Sequence, residues 1–183
     1  MDKIVANKNY KMIKKCLLLI LVFLGLQSCA AQQNNELVSI YLVRHSEKDL
    51  SSDQYSDPPL TKCGVERSEN LSNFLKDVPI DVVYSSNYTR TKNTALPTAT
   101  SKGLEIKEYN PQELEDFSQL LIERKQNALV VGHSNTTGVL AGLLVGEEIG
   151  PFDLDIYDRI YQVLIYQNRG KLQLFHTSFD CSD

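Results

Sequence analysis

The chain has 183 residues, with 19 lysines and arginines against 23 aspartates and glutamates, a formal net charge of −4. An acidic balance disfavours nonspecific nucleic-acid binding, which depends on neutralising phosphates with basic side chains. No basic patch interleaved with aromatics, no internal repeat and no low-complexity block occurs, and the length suits a single domain with a substantial core.

The first segment reads as an address. Met1 to Lys15 is polar and basic, and Cys16 to Leu26 is an apolar run of about eleven residues. Such a run is in the range of a signal-peptide core and too short to span a bilayer comfortably. It ends in Leu26-Gln27-Ser28-Cys29, which resembles a bacterial lipoprotein signal. The resemblance implies a signal peptide over residues 1–28, lipid on Cys29, and a polar tether over 29–36. The protein would then be exported and held at a membrane, facing the periplasm or the cell exterior. An ordinary signal peptide or an uncleaved anchor is the alternative. No Asp follows Cys29, so a signal for inner-membrane retention is not evident. Cleavage would remove five basic residues and one acid, leaving 14 basic against 22 acidic residues and a formal charge of −8.

Residues 37–183 alternate between strand and helix patterns. The apolar run Leu37–Val43 predicts a strand. Ser51–Pro59 is a polar loop that should rim a pocket. Gly64–Lys76 reads as a helix with Leu71, Phe74 and Leu75 on one face. Val82–Ser85 is a second strand. A helix runs from Thr89 to about Ser101, with Pro97 expected to kink or interrupt it. Leu104–Tyr109 alternates as a strand. Pro111–Arg124 is a helix, since proline suits a first turn. Ala128–Val131 is a fully buried strand, and Thr136–Val145 a helix. Tyr161–Tyr166 and Leu172–His176 form a terminal pair around the turn Asn168-Arg169-Gly170. This alternation predicts an α/β fold: a three-layer α/β/α sandwich with a mostly parallel central sheet and an antiparallel C-terminal strand pair.

Two strands end in histidine. Leu42-Val43-Arg44-His45-Ser46-Glu47-Lys48 delivers a guanidinium and an imidazole, and Val130-Val131-Gly132-His133 delivers a second imidazole. Open α/β sheets bind ligands at the carboxyl ends of their strands. The helix after Val82–Ser85 carries Arg90. Two arginines and two histidines form a cationic cup suited to phosphate, because arginine's planar fork matches its oxygens and stays charged. The helix beginning near Asn135 would aim N–H groups at the same anion. His176 and the Tyr157-Asp158-Arg159 segment read as structural. Cys63 and Cys181 could form a disulfide outside the cytoplasm or remain free thiols. No Cys-x-x-Cys pair suggests zinc.

These residues resemble the histidine phosphatase superfamily, which includes the phosphoglycerate mutases. Its Arg-His-Gly signature is similar to Arg44-His45-Ser46. Its Ser-x-x-x-Arg-x-x-x-Thr segment is similar to Ser86–Thr94, its second Gly-His to Gly132-His133, and its Leu-Thr-x-x-Gly motif to Leu60–Gly64. The resemblance implies a phosphatase in which His45 becomes phosphohistidine while Arg44, Arg90 and His133 bind the phosphoryl oxygens, assisted by Ser46 and Asn135. No metal is needed, since the arginines already provide the charge, and no cofactor is expected. The substrate would be a phosphorylated small molecule or a phosphoprotein, carrying a phosphomonoester or a phosphoramidate. A mutase-like phosphotransferase and a catalytically weak phosphate-binding lipoprotein are the alternatives. The proton donor stays open. Glu47 adjoins the nucleophile, while Glu113, Glu115 and Asp116 fall near the family's spacing on a helix whose polar face could simply be solvated.

Overall fold

The computed structural model describes residues 36–181, which lie in one compact unit, Asn35–Asp183. The expectations for the signal peptide, Cys29 and nearly all of the tether fall outside the described residues. Among the described residues no helix is long and apolar enough to cross a membrane.

The elements run β1 (Val38–Arg44), α1 (Lys62–Phe74), β2 (Val82–Ser86), α2 (Thr89–Lys102), β3 (Ile106–Tyr109), α3 (Leu114–Arg124), β4 (Ala128–Gly132), α4 (Thr137–Val145), β5 (Arg159–Tyr166) and β6 (Arg169–His176). They build one six-stranded sheet in the order β3-β2-β4-β1-β5-β6. Strands β1 to β4 are mutually parallel, and β5 and β6 add antiparallel at one edge. Consecutive side chains of a strand point to opposite faces, and here both faces are covered. Ile40, Leu42, Val130 and Val163 pack with Phe117 and Leu121 of α3 and with Leu140 and Leu144 of α4. Tyr41, Val43, Leu129 and Val131 pack with Leu71 of α1 and with Ala95 and Ala99 of α2. The expected three-layer sandwich is the observed one.

The sheet order creates the site. The chain moves outward from β1 to β2 and β3, then returns to insert β4 between β2 and β1. Arg44 of β1 is paired with Gly132 of β4, and Ser85 of β2 with Val131. The residues that follow, His45, Ser86 and His133, therefore leave the sheet at one level, beside a change in strand order where α/β sheets bind ligands. Glycine at 132 leaves room there, since a Cβ would lie 2.6 Å from the Tyr109 hydroxyl and 3.0 Å from Thr136 Oγ1 and would have to displace them.

Several boundaries differ from the sequence reading. Helix α1 starts two residues early because Thr61 caps it, its hydroxyl accepting from Gly64 N–H at 3.0 Å. Helix α2 continues through Pro97. The carbonyl deprived of its donor belongs to Asn93, which is exposed and open to hydration. Pro111 stands in a turn before α3, where Asn110 accepts from the N–H of Glu113 at 3.2 Å and, through its side chain, from that of Gln112 at 3.1 Å. The β5–β6 turn is Gln167-Asn168, both at positive φ (50° and 60°), as a two-residue hairpin loop demands. Cys63 and Cys181 form a disulfide with a Cα–Cα distance of 5.7 Å, tying the C-terminal segment to the start of α1.

Candidate active site

His45 follows β1 and is 4% exposed. Its backbone N–H donates to Gly132 O at 2.9 Å, so β4 fixes its position. Its Nδ1 lies 2.7 Å from Ser46 O. A carbonyl can only accept, so Nδ1 carries the proton, and in the neutral ring Nε2 keeps its lone pair. Burial lowers the pKa of His45 to about 3; the Ser46 bond opposes this, while the charges of Arg44, His133 and Arg90 reinforce it. The ring is neutral at physiological pH, as a nucleophile must be.

His133 sits at the end of β4, its ring edge-on to His45 with centroids 5.5 Å apart. Its Nε2 is 2.9 Å from Ser86 Oγ at the end of β2. Ser86 Oγ in turn donates to Thr91 Oγ1 at 3.2 Å, which assigns the Nε2 proton to a bond from His133 to Ser86. Burial, then Arg90, Arg44 and Lys48, lower the His133 pKa to about 4, with Asp57 opposing. The Tyr88 ring packs edge-on against His133 at 5.0 Å.

The arginines are held in different ways. Arg44 is 5% exposed. Its Nη1 donates to Leu154 O at 2.6 Å and Ile156 O at 2.9 Å, and its Nη2 donates to the Tyr157 hydroxyl at 3.3 Å. The Tyr157 ring also stacks on this guanidinium, 4.0 Å from Cζ. Arg90, in the first turn of α2, stacks on Tyr88 at 4.4 Å, and its Nη1 donates to Asp57 Oδ1 at 3.2 Å. Nε of each arginine is buried with no protein partner. Two buried donors, a buried neutral imidazole and a half-buried one make a cup for an anion.

The structure thus brings Arg44, His45, Arg90 and His133 together. Ser46 lies beneath, 2% exposed, with its N–H donated to Thr94 Oγ1 at 2.9 Å; its carbonyl orients His45. Asn135 is exposed in the turn between β4 and α4, which begins only at Thr137. The Glu47 carboxylate is engaged by Arg67, with contacts of 2.7 to 3.0 Å. Glu113 and Glu115 are exposed at the start of α3. Glu113 and Asp116 line a separate cavity of about 310 Å³ with Tyr84, Tyr109 and Phe117, to which none of the four cup residues contributes. Glu113 precedes the helix on which the sequence reading placed it.

The sequence reading did not assign Asp57, Tyr88, Tyr157 or Arg67 to the site. Tyr157 braces Arg44 through both its hydroxyl and its ring. For Asp57 the available signal was its place in the loop expected to rim the pocket. Asp158 holds His176 at 2.9 Å, in keeping with a structural role for that histidine.

Comparison with known proteins agrees with this geometry. The family model for the histidine phosphatase superfamily (branch 1) matches residues 40–111. Phosphoserine phosphatase 1 of Hydrogenobacter thermophilus is 36% identical over 94 residues, a match covering 48% of this chain and 44% of that protein; the chain thus spans less than half of the curated relative. The protein histidine phosphatase SixA, solved with tungstate, superposes with a TM-score of 0.64 at 21% identity, covering 76% of this chain and 97% of that one. The alpha-ribazole phosphatase of Shigella flexneri gives a TM-score of 0.59 at 20% identity over 76% and 96% of the two chains. The matched segment carries Arg44, His45 and Arg90, while His133, at the end of β4, lies outside it. Over residues 40–111 the chain thus resembles the histidine phosphatase superfamily (branch 1), and its described residues share the fold of the solved structures.

Proposed function

We propose that the protein is a phosphatase that hydrolyses a phosphomonoester or phosphoramidate through a phosphohistidine on His45. The observation that carries this reading is the state of His45: buried, held neutral, with Nδ1–H tied to Ser46 O and the Arg44 and Arg90 charges acting on its ring. The Arg44 and Arg90 Nε groups bind the phosphoryl oxygens. Nε2 attacks phosphorus, and the guanidinium charges stabilise the negative charge on the transferring group, where positioning and electrostatics supply most of the catalysis. Water then cleaves the P–N bond. SixA was solved with tungstate, a tetrahedral oxyanion, and the relative in Hydrogenobacter is named a phosphoserine phosphatase; both support phosphorylated substrates. The arginines provide the cationic charge that a metal would otherwise bring, so turnover requires none.

Turnover of p-nitrophenyl phosphate and of phosphohistidine by the purified domain tests the reading. Activity should persist in EDTA and vanish in His45→Ala. Activity that is lost in EDTA and restored by a divalent ion, or retained in His45→Ala, overturns it.

We further propose export and lipid attachment at Cys29, supported by the leader. The Cys63–Cys181 disulfide also supports it, since such bonds persist in oxidising compartments.

A further inference from the structure

A phosphatase acting on an alkyl phosphomonoester must protonate a poor leaving group, and the acids singled out from sequence are badly placed for that work. Glu47 is neutralised by Arg67, and Glu113 and Glu115 stand exposed at the start of α3. A different carboxylate reaches the cup. Asp57 accepts from the Thr89 N–H at 2.8 and 3.0 Å and from Arg90 Nη1 at 3.2 Å. It therefore sits on the very guanidinium that a phosphoryl oxygen would need, at the first turn of α2. Its charge also acts on His133.

The loop that carries Asp57 is anchored at its base and exposed above it. Lys48 and Leu60 form an isolated bridge, Asp49 N–H donates to Pro59 O at 2.8 Å, and Pro58 is buried. Residues Ser51 to Ser56 are largely exposed, and about a third of the Asp57 side chain faces solvent. The carboxylate can leave Arg90 by side-chain rotation and a small loop shift while Pro58 stays in place.

We propose that Asp57 is the general acid and base of the reaction, delivered to the substrate by exchange on Arg90. This rests on the phosphatase reading above and extends it to alkyl phosphomonoesters. In the resting protein burial raises the Asp57 pKa, but the Thr89 bonds and the Arg90 charge outweigh it and hold the group ionised. An incoming phosphoryl group engages the free Arg90 Nε and, as a fork, draws Nη1 from Asp57, because a dianion of matching geometry binds a guanidinium better than one carboxylate oxygen does. Asp57 is then left beside an anion without its cation, and both changes favour its neutral form. It takes up a proton from the substrate monoanion or from solvent. As the His45 Nε2–P bond forms and the P–O bond breaks, Asp57 gives that proton to the departing oxygen. As water attacks the phosphohistidine and the P–N bond breaks, the Asp57 carboxylate takes a proton from the water. Asp57 gives that proton to the departing phosphate or to solvent, phosphate leaves, and the Asp57 carboxylate returns to Arg90.

The test is leaving-group dependence in Asp57→Asn and Asp57→Glu, read as kcat/KM, which reports phosphoenzyme formation. With O-phosphoserine, Asp57→Asn should lose about 10²- to 10³-fold, within the usual range for a general acid. With p-nitrophenyl phosphate, whose leaving group needs little protonation, the loss should stay below about tenfold. A burst of p-nitrophenol should appear, because hydrolysis of the phosphoenzyme now lacks its base. Asp57→Glu should recover part of the O-phosphoserine rate. Equal losses on both substrates would mean that Asp57 only positions Arg90, and no loss would mean that it takes no part; either result overturns the proposal. Wild-type turnover of p-nitrophenyl phosphate but not of O-phosphoserine also overturns it. Failure of the wild type on every phosphorylated substrate would instead refute the phosphatase reading.

Discussion

His45 and His133 are held neutral by burial, and that has a measurable cost at acid pH. In the folded protein His45 titrates near 3 and His133 near 4, whereas in an unfolded chain each titrates at about 6.5. Between these limits the unfolded state binds more protons than the folded state, so stability falls as pH falls through the unfolded value and onward toward the folded one. From pH 7.5 to pH 5 the unfolded chain gains about one proton per imidazole and the folded chain almost none. The loss is about 2 kcal/mol for His45; His133, at the edge of the cup, contributes less after solvent screening. Urea denaturation at the two pH values, on wild type and on His45→Asn, isolates the His45 part. The asparagine amide can still donate to Ser46 O but does not titrate. The wild type should lose about 2 kcal/mol more than His45→Asn over this interval. Saturating phosphate should reduce the difference, because a bound anion favours the imidazolium. An identical pH dependence in the two proteins would show that His45 titrates normally, and the argument for a pre-formed neutral nucleophile would fail.

Arg90→Ala should weaken phosphate and tungstate binding by roughly 10- to 100-fold, the value of one or two charged hydrogen bonds, with an unchanged circular dichroism spectrum; unchanged affinity would remove Arg90 from the site. Reduction of Cys63–Cys181 should lower stability by about 2–4 kcal/mol in urea titrations, since the bond closes a loop of sequence separation 118. Equal midpoints with and without reductant would contradict this. Cys29→Ser, expressed from the full chain, should move the protein from the membrane to the soluble fraction or leave the leader uncut. Mass spectrometry finding Met1 unmodified on a soluble wild-type protein would refute both export and the anchor.

The strand ends were legible in the sequence because a buried parallel strand is written as an uninterrupted apolar run. Val38–Val43 and Ala128–Val131 are such runs, and each is followed by a polar group that must serve a site or find a partner. Local helix signals were less decisive. Pro111 suits a first helical turn, yet Asn110 offers both its backbone and its side chain to a turn, and α3 waits until Leu114. Asn93 is exposed, so Pro97 costs α2 little. What stayed hidden depends on contacts far apart in the chain. Nothing near Arg44 announces that Leu154, Ile156 and Tyr157 will hold it, and nothing near Glu47 announces Arg67. Asp57 reaches Arg90 only because the sheet order brings the loop after β1 over the start of α2.

The central claim is that Nε2 of His45 carries the phosphoryl group, because Nδ1 is committed to Ser46 O. Rapid acid-free quenching of the enzyme with phosphorus-labelled substrate, followed by peptide mass spectrometry and phosphorus NMR, tests it directly. The account predicts one acid-labile, base-stable phosphoryl group on the peptide containing His45, bonded at Nε2. Label on any other residue, at Nδ1 of His45, or absent while turnover proceeds would contradict it.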